Sequence, residues 1–65
     1  MDLIEARKER NFTQWDMAIY SGMSQTKISL IERGYIQPNS GEKSKIASIL
    51  GVSLDDIEWP EERRL

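Results

Sequence analysis

The chain has 65 residues, with nine Lys/Arg against eleven Asp/Glu and no His or Cys. A chain this short forms one marginally stable domain, and the missing residue types exclude disulfides, zinc fingers, cysteine nucleophiles and histidine acid–base chemistry. The net charge of −2, taken whole, argues against a nucleic-acid partner. It is uneven, however. Residues 1–45 hold seven Lys/Arg and six Asp/Glu, a net of +1, whereas residues 46–65 hold two and five, a net of −3. A local field over residues 1–45 can still favour an anion. No run of about 18 apolar residues offers a membrane span. The opening MDLIEARKER mixes charge signs from the start, unlike a signal peptide. With no disulfide to maintain, a reducing compartment fits. The cytoplasm is the expected location.

Residues 2–10, DLIEARKER, predict a first helix with Leu3, Ala6 and Arg7 on one face and a basic last turn that suits the helix dipole. Asn11 is its expected stop. Thr13 then caps a second helix, with Asp16 placed to reach back in a capping box. Met17 and Ala18 point inward, and Gly22 supplies the left-handed residue that ends the helix. Ser24 caps a third helix over residues 25–33, with Ile28 and Ile31 as its inward stripe and Gly34 as its end. Tyr35–Pro38 form a loop, since Pro38 forces Gln37 to be extended. Asn39 caps a fourth helix over 40–50, with Ile46, Ala47, Ile49 and Leu50 as its apolar part. Its first turn looks weak and prone to fray, because Ser40 and Gly41 are poor helix formers. Ser53 opens a short fifth helix to about Glu58, and residues 60–65 are expected to form a frayed tail behind a domain of residues 1–59. The expected fold class is all-α: five short helices with tight connections in a small orthogonal bundle.

Two helices joined by a short turn containing Gly, the second starting on a Ser cap, follow the helix-turn-helix plan. Here the chain resembles the Cro/C1-type (XRE-like) repressor domains of phages and bacteria. The resemblance is carried by Phe12, Thr13, Gln14, Ala18, Gly22, Met23, Ser24, Ile28, Ile31, Glu32 and Gly34. Pro38 and the later LGVSLDDI, residues 50–57, match as well. It covers residues 3–58 and rests on several matches at fixed spacing. It implies a lambda-repressor-like bundle whose second motif helix, 25–33, enters the major groove of operator DNA, with no cofactor or metal and no catalysis.

With Ile28 and Ile31 turned inward, Gln25, Thr26, Ser29 and Leu30 become the candidate base contacts. Gln25 can pair with adenine N6 and N7, Thr26 and Ser29 with a base or a phosphate, and Leu30 with a thymine methyl. Gln14 is implied as a phosphate contact at a helix N-terminus. Ser24, Lys27, Tyr35, Gln37, Asn39 and Lys43 complete the candidate backbone contacts. Arg7 and Glu32 are implied as a structural ion pair tying the first helix to the recognition helix.

Plainer readings stand beside these. The polar residues of helix 25–33 can be ordinary solvated surface, and Leu30 can be core or a protein contact. Trp15 covers the core edge, stacks on the sugar–phosphate backbone or sits in a dimer contact. Tyr35 is loop packing or a phosphate donor. Trp59 packs back on the bundle or joins a dimer surface with Leu54 and Ile57. Met17 and Met23 are core residues. The recognition helix lacks Arg at its outward positions apart from Arg33, so guanine readout and the salt dependence of binding should both be weak. A transcriptional regulator, acting as a repressor, is the favoured function. The rival is a protein-interaction module on the same fold, such as an antitoxin or a regulator-binding domain. An enzyme has nothing to work with here.

Overall fold

The computed structural model describes residues 1–60. Four α-helices follow one another: α1 (Leu3–Glu9), α2 (Gln14–Ser21), α3 (Gln25–Glu32) and α4 (Ser40–Leu50), then a single 3-10 turn at Leu54–Asp56. The expected count of five helices is corrected to four plus that turn. The last element stops short because Ile57 swings into an extended conformation, φ −100° and ψ 127°, and buries itself in the core. The following Glu58 N–H then donates to the Met1 carbonyl at 2.7 Å, so the end of the bundle closes by backbone pairing. Apart from Pro60, the expected tail lies outside the described residues.

Each helix starts on a side chain that accepts a backbone N–H. Asp2, Thr13, Ser24 and Asn39 all do this, which satisfies one of the orphan donors at each start. Thr13 and Asp16 form a reciprocal capping box, and so do Asn39 and Glu42. The second box corrects the expectation of a frayed α4. Glu42 Oε1 accepts from the Asn39 N–H at 2.9 Å while Asn39 Oδ1 accepts from the Glu42 N–H at 2.8 Å. The helix is therefore pinned at Ser40 despite its weak helix formers. Helix α1 is closed by its C-cap Arg10, and the next residue, Asn11, has a φ of 58°, the one positive value outside glycine among the described residues, a conformation that Asn tolerates better than most residues.

The core gathers one stripe from every helix: Leu3 and Ala6, Met17 and Ala18, Ile28 and Ile31, and Ile46, Ala47 and Leu50, closed by Ile57. Met17, Ile31, Ile46 and Leu50 are the most deeply enclosed, each contributing about 1.5–3 kcal/mol by burial. Met23, expected in the core, is only half-buried against it. Helix α2 packs on both α3 and α4, leaving the start of α3 at the surface.

Candidate nucleic-acid interface

The turn between α2 and α3 is built from local chemistry. Gly22 adopts φ 74°, and its N–H donates to the Ala18 carbonyl at 2.9 Å. No atom lies within 4 Å of where a side chain would begin, so glycine is needed there for its backbone angle alone. The next donor, Met23 N–H, turns instead to the buried Ser21 hydroxyl at 3.2 Å. Ser24 then caps α3 by accepting from the Lys27 N–H at 3.1 Å. These bonds set the angle at which α3 leaves α2, and they place Gln25 at the first helical position.

From Gln25 a continuous hydrogen-bond chain runs back to α1. Gln25 Nε2 donates to Gln14 Oε1 at 2.6 Å, and Gln14 Nε2 donates to Glu32 Oε1 at 2.8 Å. Arg7 completes the chain, its Nε donating to Glu32 Oε2 at 2.6 Å and its Nη2 to Oε1 at 3.3 Å. The remaining arm of the guanidinium donates to the Phe12 carbonyl at 2.7 Å, bracing the α1–α2 connection. The Glu32 side chain is 3% exposed and that of Arg7 11%, so the charges are desolvated but fully partnered.

The other sequence-predicted residues divide by what already holds them. Thr26 is exposed, while Ser29 and Leu30 are half-buried on the same helix. Ser24 and Asn39 are engaged as caps. Lys27 Nζ donates to Glu42 Oε2 at 2.5 Å, an ion pair linking α3 to the start of α4. That bond, with the backbone N–H of Asn39, holds the Glu42 carboxyl below its ordinary range. Lys43 stands over the Trp59 ring, 5.6 Å from its centre, and Gln37 Nε2 donates to the Pro60 carbonyl. Tyr35 is exposed, and its backbone N–H donates to the Leu30 carbonyl at 3.0 Å. The structure thus brings Gln14, Gln25 and Glu32 into one cluster and puts Lys27 on a separate link to α4. It leaves Gln37 and Lys43 against the last described residues.

Sequence reasoning missed Glu42, Ser21 and Lys45. Glu42 had a signal, since an acid three residues after Asn39 is a capping-box spacing. Ser21 and Lys45 had none: the Lys45 ammonium donates to the Ser21 carbonyl at 3.2 Å across 24 residues. Trp15 is 67% exposed, which removes the core-edge reading. Ile19, one turn further along α2, is 74% exposed. Ile57 is 5% exposed, so it is withdrawn from the expected dimer surface: a side chain already enclosed by its own bundle has little left to offer a partner. No helix among the described residues is long and apolar enough to cross a membrane.

A helix-turn-helix family model matches residues 3–57, the whole span from the start of α1 to the last buried residue. The chain belongs to the helix-turn-helix family, in its Cro/C1-type branch. That family is one of DNA-binding regulators and not of enzymes. The chain is also 35% identical over 57 residues to the ImmF control region 10 kDa protein of Bacillus phage phi105, covering 88% of this chain and 63% of that protein's length. No solved structure matches the chain significantly.

Proposed function

We propose that this member of the helix-turn-helix family is a sequence-specific regulator of transcription that lays α3 in the major groove and acts as a repressor by occupying its operator. The observation that carries this reading is Gln25, held at the first position of α3 by Gln14 in a chain whose family match spans residues 3–57. A helix in the major groove reads bases with its first residues. Gln25, Thr26, Ser29 and Leu30 are the base-reading side chains. Gln14, Ser24, Lys27, Tyr35, Gln37, Asn39 and Lys43 border the phosphates. The Lys27–Glu42 pair must loosen for Lys27 to reach a phosphate, which keeps non-specific affinity low. The control-region name of the phage relative supports a regulatory role. Such a regulator would work in the cytoplasm. A dimer would span half-sites about 34 Å apart, built on Leu54 and Trp59 without Ile57.

An amide NMR titration with duplex DNA at low salt tests this. Shifts grouped at Gln14, residues 24–30 and residues 35–39, fading as salt rises, are the expected result. A silent spectrum removes the DNA reading. It would favour the interaction module, for which the exposed Trp15 and Ile19 on α2 are the supporting observation. Sedimentation showing only monomers on operator DNA removes the dimer.

A further inference from the structure

We propose that the outward side of α2 is a self-association surface: two copies of this chain pair through it, antiparallel and face to face, about a two-fold axis. The pairing depends neither on DNA reading by α3 nor on the Leu54–Trp59 contact.

Helix α2 reads QWDMAIYS, with Met17, Ala18 and Ser21 turned into the bundle. That leaves Trp15, Asp16, Ile19 and Tyr20 on the outside. Residues four apart stand in one row along a helix. The outward side is therefore two rows, Trp15 with Ile19 and Asp16 with Tyr20. Trp15 is 67% exposed, Ile19 74% and Tyr20 57%. These are the three most exposed large hydrophobic side chains among the described residues, and one helix carries all of them. The Phe12 ring, 5.2 Å from that of Tyr20, holds one edge of the patch in place.

The area suits a pair. At roughly 150–250 Å² for a whole aromatic side chain, these fractions amount to on the order of 400 Å² in one patch. Interfaces are a little over half apolar, so such a patch is the apolar part of about 700 Å² per copy, close to the ~800 Å² that a standard interface takes from each partner. Leu54, 39% exposed, and the half-buried Trp59 offer less.

The face also names its occupant. Asp16 is the single charge on α2, so a partner must bring one group to meet it and apolar surface for the rest. A second α2 brings both. Laid antiparallel, it sets row against row: Trp15 meets Ile19 of the second copy, and Asp16 meets the Tyr20 hydroxyl of the second copy. That hydroxyl donates to the carboxylate, which accepts more than one hydrogen bond and so keeps its bond from the Thr13 N–H. Each contact occurs twice, once in each direction, as a two-fold axis requires. The two Asp16 carboxylates never face each other.

Sedimentation of the full-length protein from low micromolar to millimolar concentration tests the pairing. Wild type, Ile19→Glu, Trp15→Ala and Trp59→Phe are compared, with thermal unfolding recorded at the lowest concentration. Wild type is expected to pass from monomer to dimer and stop there. Ile19→Glu and Trp15→Ala should each weaken the pairing by about tenfold or more with unfolding temperature unchanged, since both side chains are exposed. Trp59→Phe should pair as wild type does. It leaves Trp15 as the one tryptophan of the chain, so its fluorescence should shift to shorter wavelength as dimer forms. A monomer at every concentration overturns the proposal and leaves the face to a partner of another sequence. Growth past the dimer overturns the two-fold arrangement. Wild-type pairing in both α2 variants, or a dimer that leaves the Trp15 emission unshifted, overturns the choice of surface.

Discussion

Two polar links leave α3, and they differ in almost every physical respect. One runs from Gln25 through Gln14 and Glu32 to Arg7, inside the angle between α1, α2 and α3. The other joins Lys27 to Glu42 at the start of α4. In the first, the charged side chains are 3% and 11% exposed; in the second, 40% and 21%. A buried pair that loses one partner leaves a charge that water cannot reach. An exposed pair that loses one partner is simply rehydrated. The first link should therefore behave as part of the fold, and the second as a contact that phosphate can displace.

The sharpest way to break this comparison is to remove Glu32. Glu32→Ala strips Arg7 of its counter-charge and Gln14 of its acceptor, and is expected to cost about 3–5 kcal/mol. A domain of this size has roughly that much stability in total, so chemical denaturation should find the variant largely unfolded. A stable Glu32→Ala protein would mean that the relay is not structural. Next in size is the brace of the turn. Gly22→Ala forces a side chain into a left-handed backbone angle and should cost about 1–2 kcal/mol, read from the denaturation midpoint. Ser21→Ala removes the hydroxyl that receives the Met23 N–H and should cost about 1 kcal/mol. By contrast, Lys45→Met, which cuts the bond to the Ser21 carbonyl on an exposed side chain, should stay within about 0.5 kcal/mol.

The smallest effect belongs to the Lys27–Glu42 link, and pH isolates it. The Lys27 ammonium and the Asn39 N–H lower the Glu42 pKa in the folded state, so the carboxylate form is favoured by folding. That contribution is fully present above the ordinary value of 4.5 and is lost as pH falls through the lower folded value. Acid titrations of wild type and Glu42→Gln should therefore diverge at neutral pH and converge in acid. The difference at neutral pH should shrink in high salt. A gap that is unchanged by salt would show that this link is less exposed than its geometry indicates.

Much of the local architecture was legible in advance. Thr13 with Asp16, Ser24 and Asn39 mark helix starts because a cap and its target lie within three residues of each other. Gly22, Gly34 and Asn11 mark ends because the left-handed angle restricts the choice of residue. Where local reading failed, a neighbour was overlooked or a distant one decided. Glu42 steadied an α4 start that Ser40 and Gly41 made look weak. The last helix was shortened to one turn by the pull of Ile57 into a core it shares with Leu3, 54 residues earlier. The candidate site divides in the same way. Its residue types on helix 25–33 followed from the inward spacing of Ile28 and Ile31. The role of Gln14 as the link to Gln25 did not, since the pair is 11 residues apart and meets only when α2 packs on α3.

The sequence by itself determined where the first three helices start and stop, which stripe of each faces inward, and the helix-turn-helix plan, because caps, turns and periodicity act over three or four residues. The tertiary structure alone decided which side chains share hydrogens, which charges are dry, and that Ile57 is core while Trp15 and Ile19 are surface. Those outcomes depend on distances between helices. A hydrogen bond 2.6 Å long or a carboxylate 3% exposed exists only once packing has brought separate segments together and excluded water from between them.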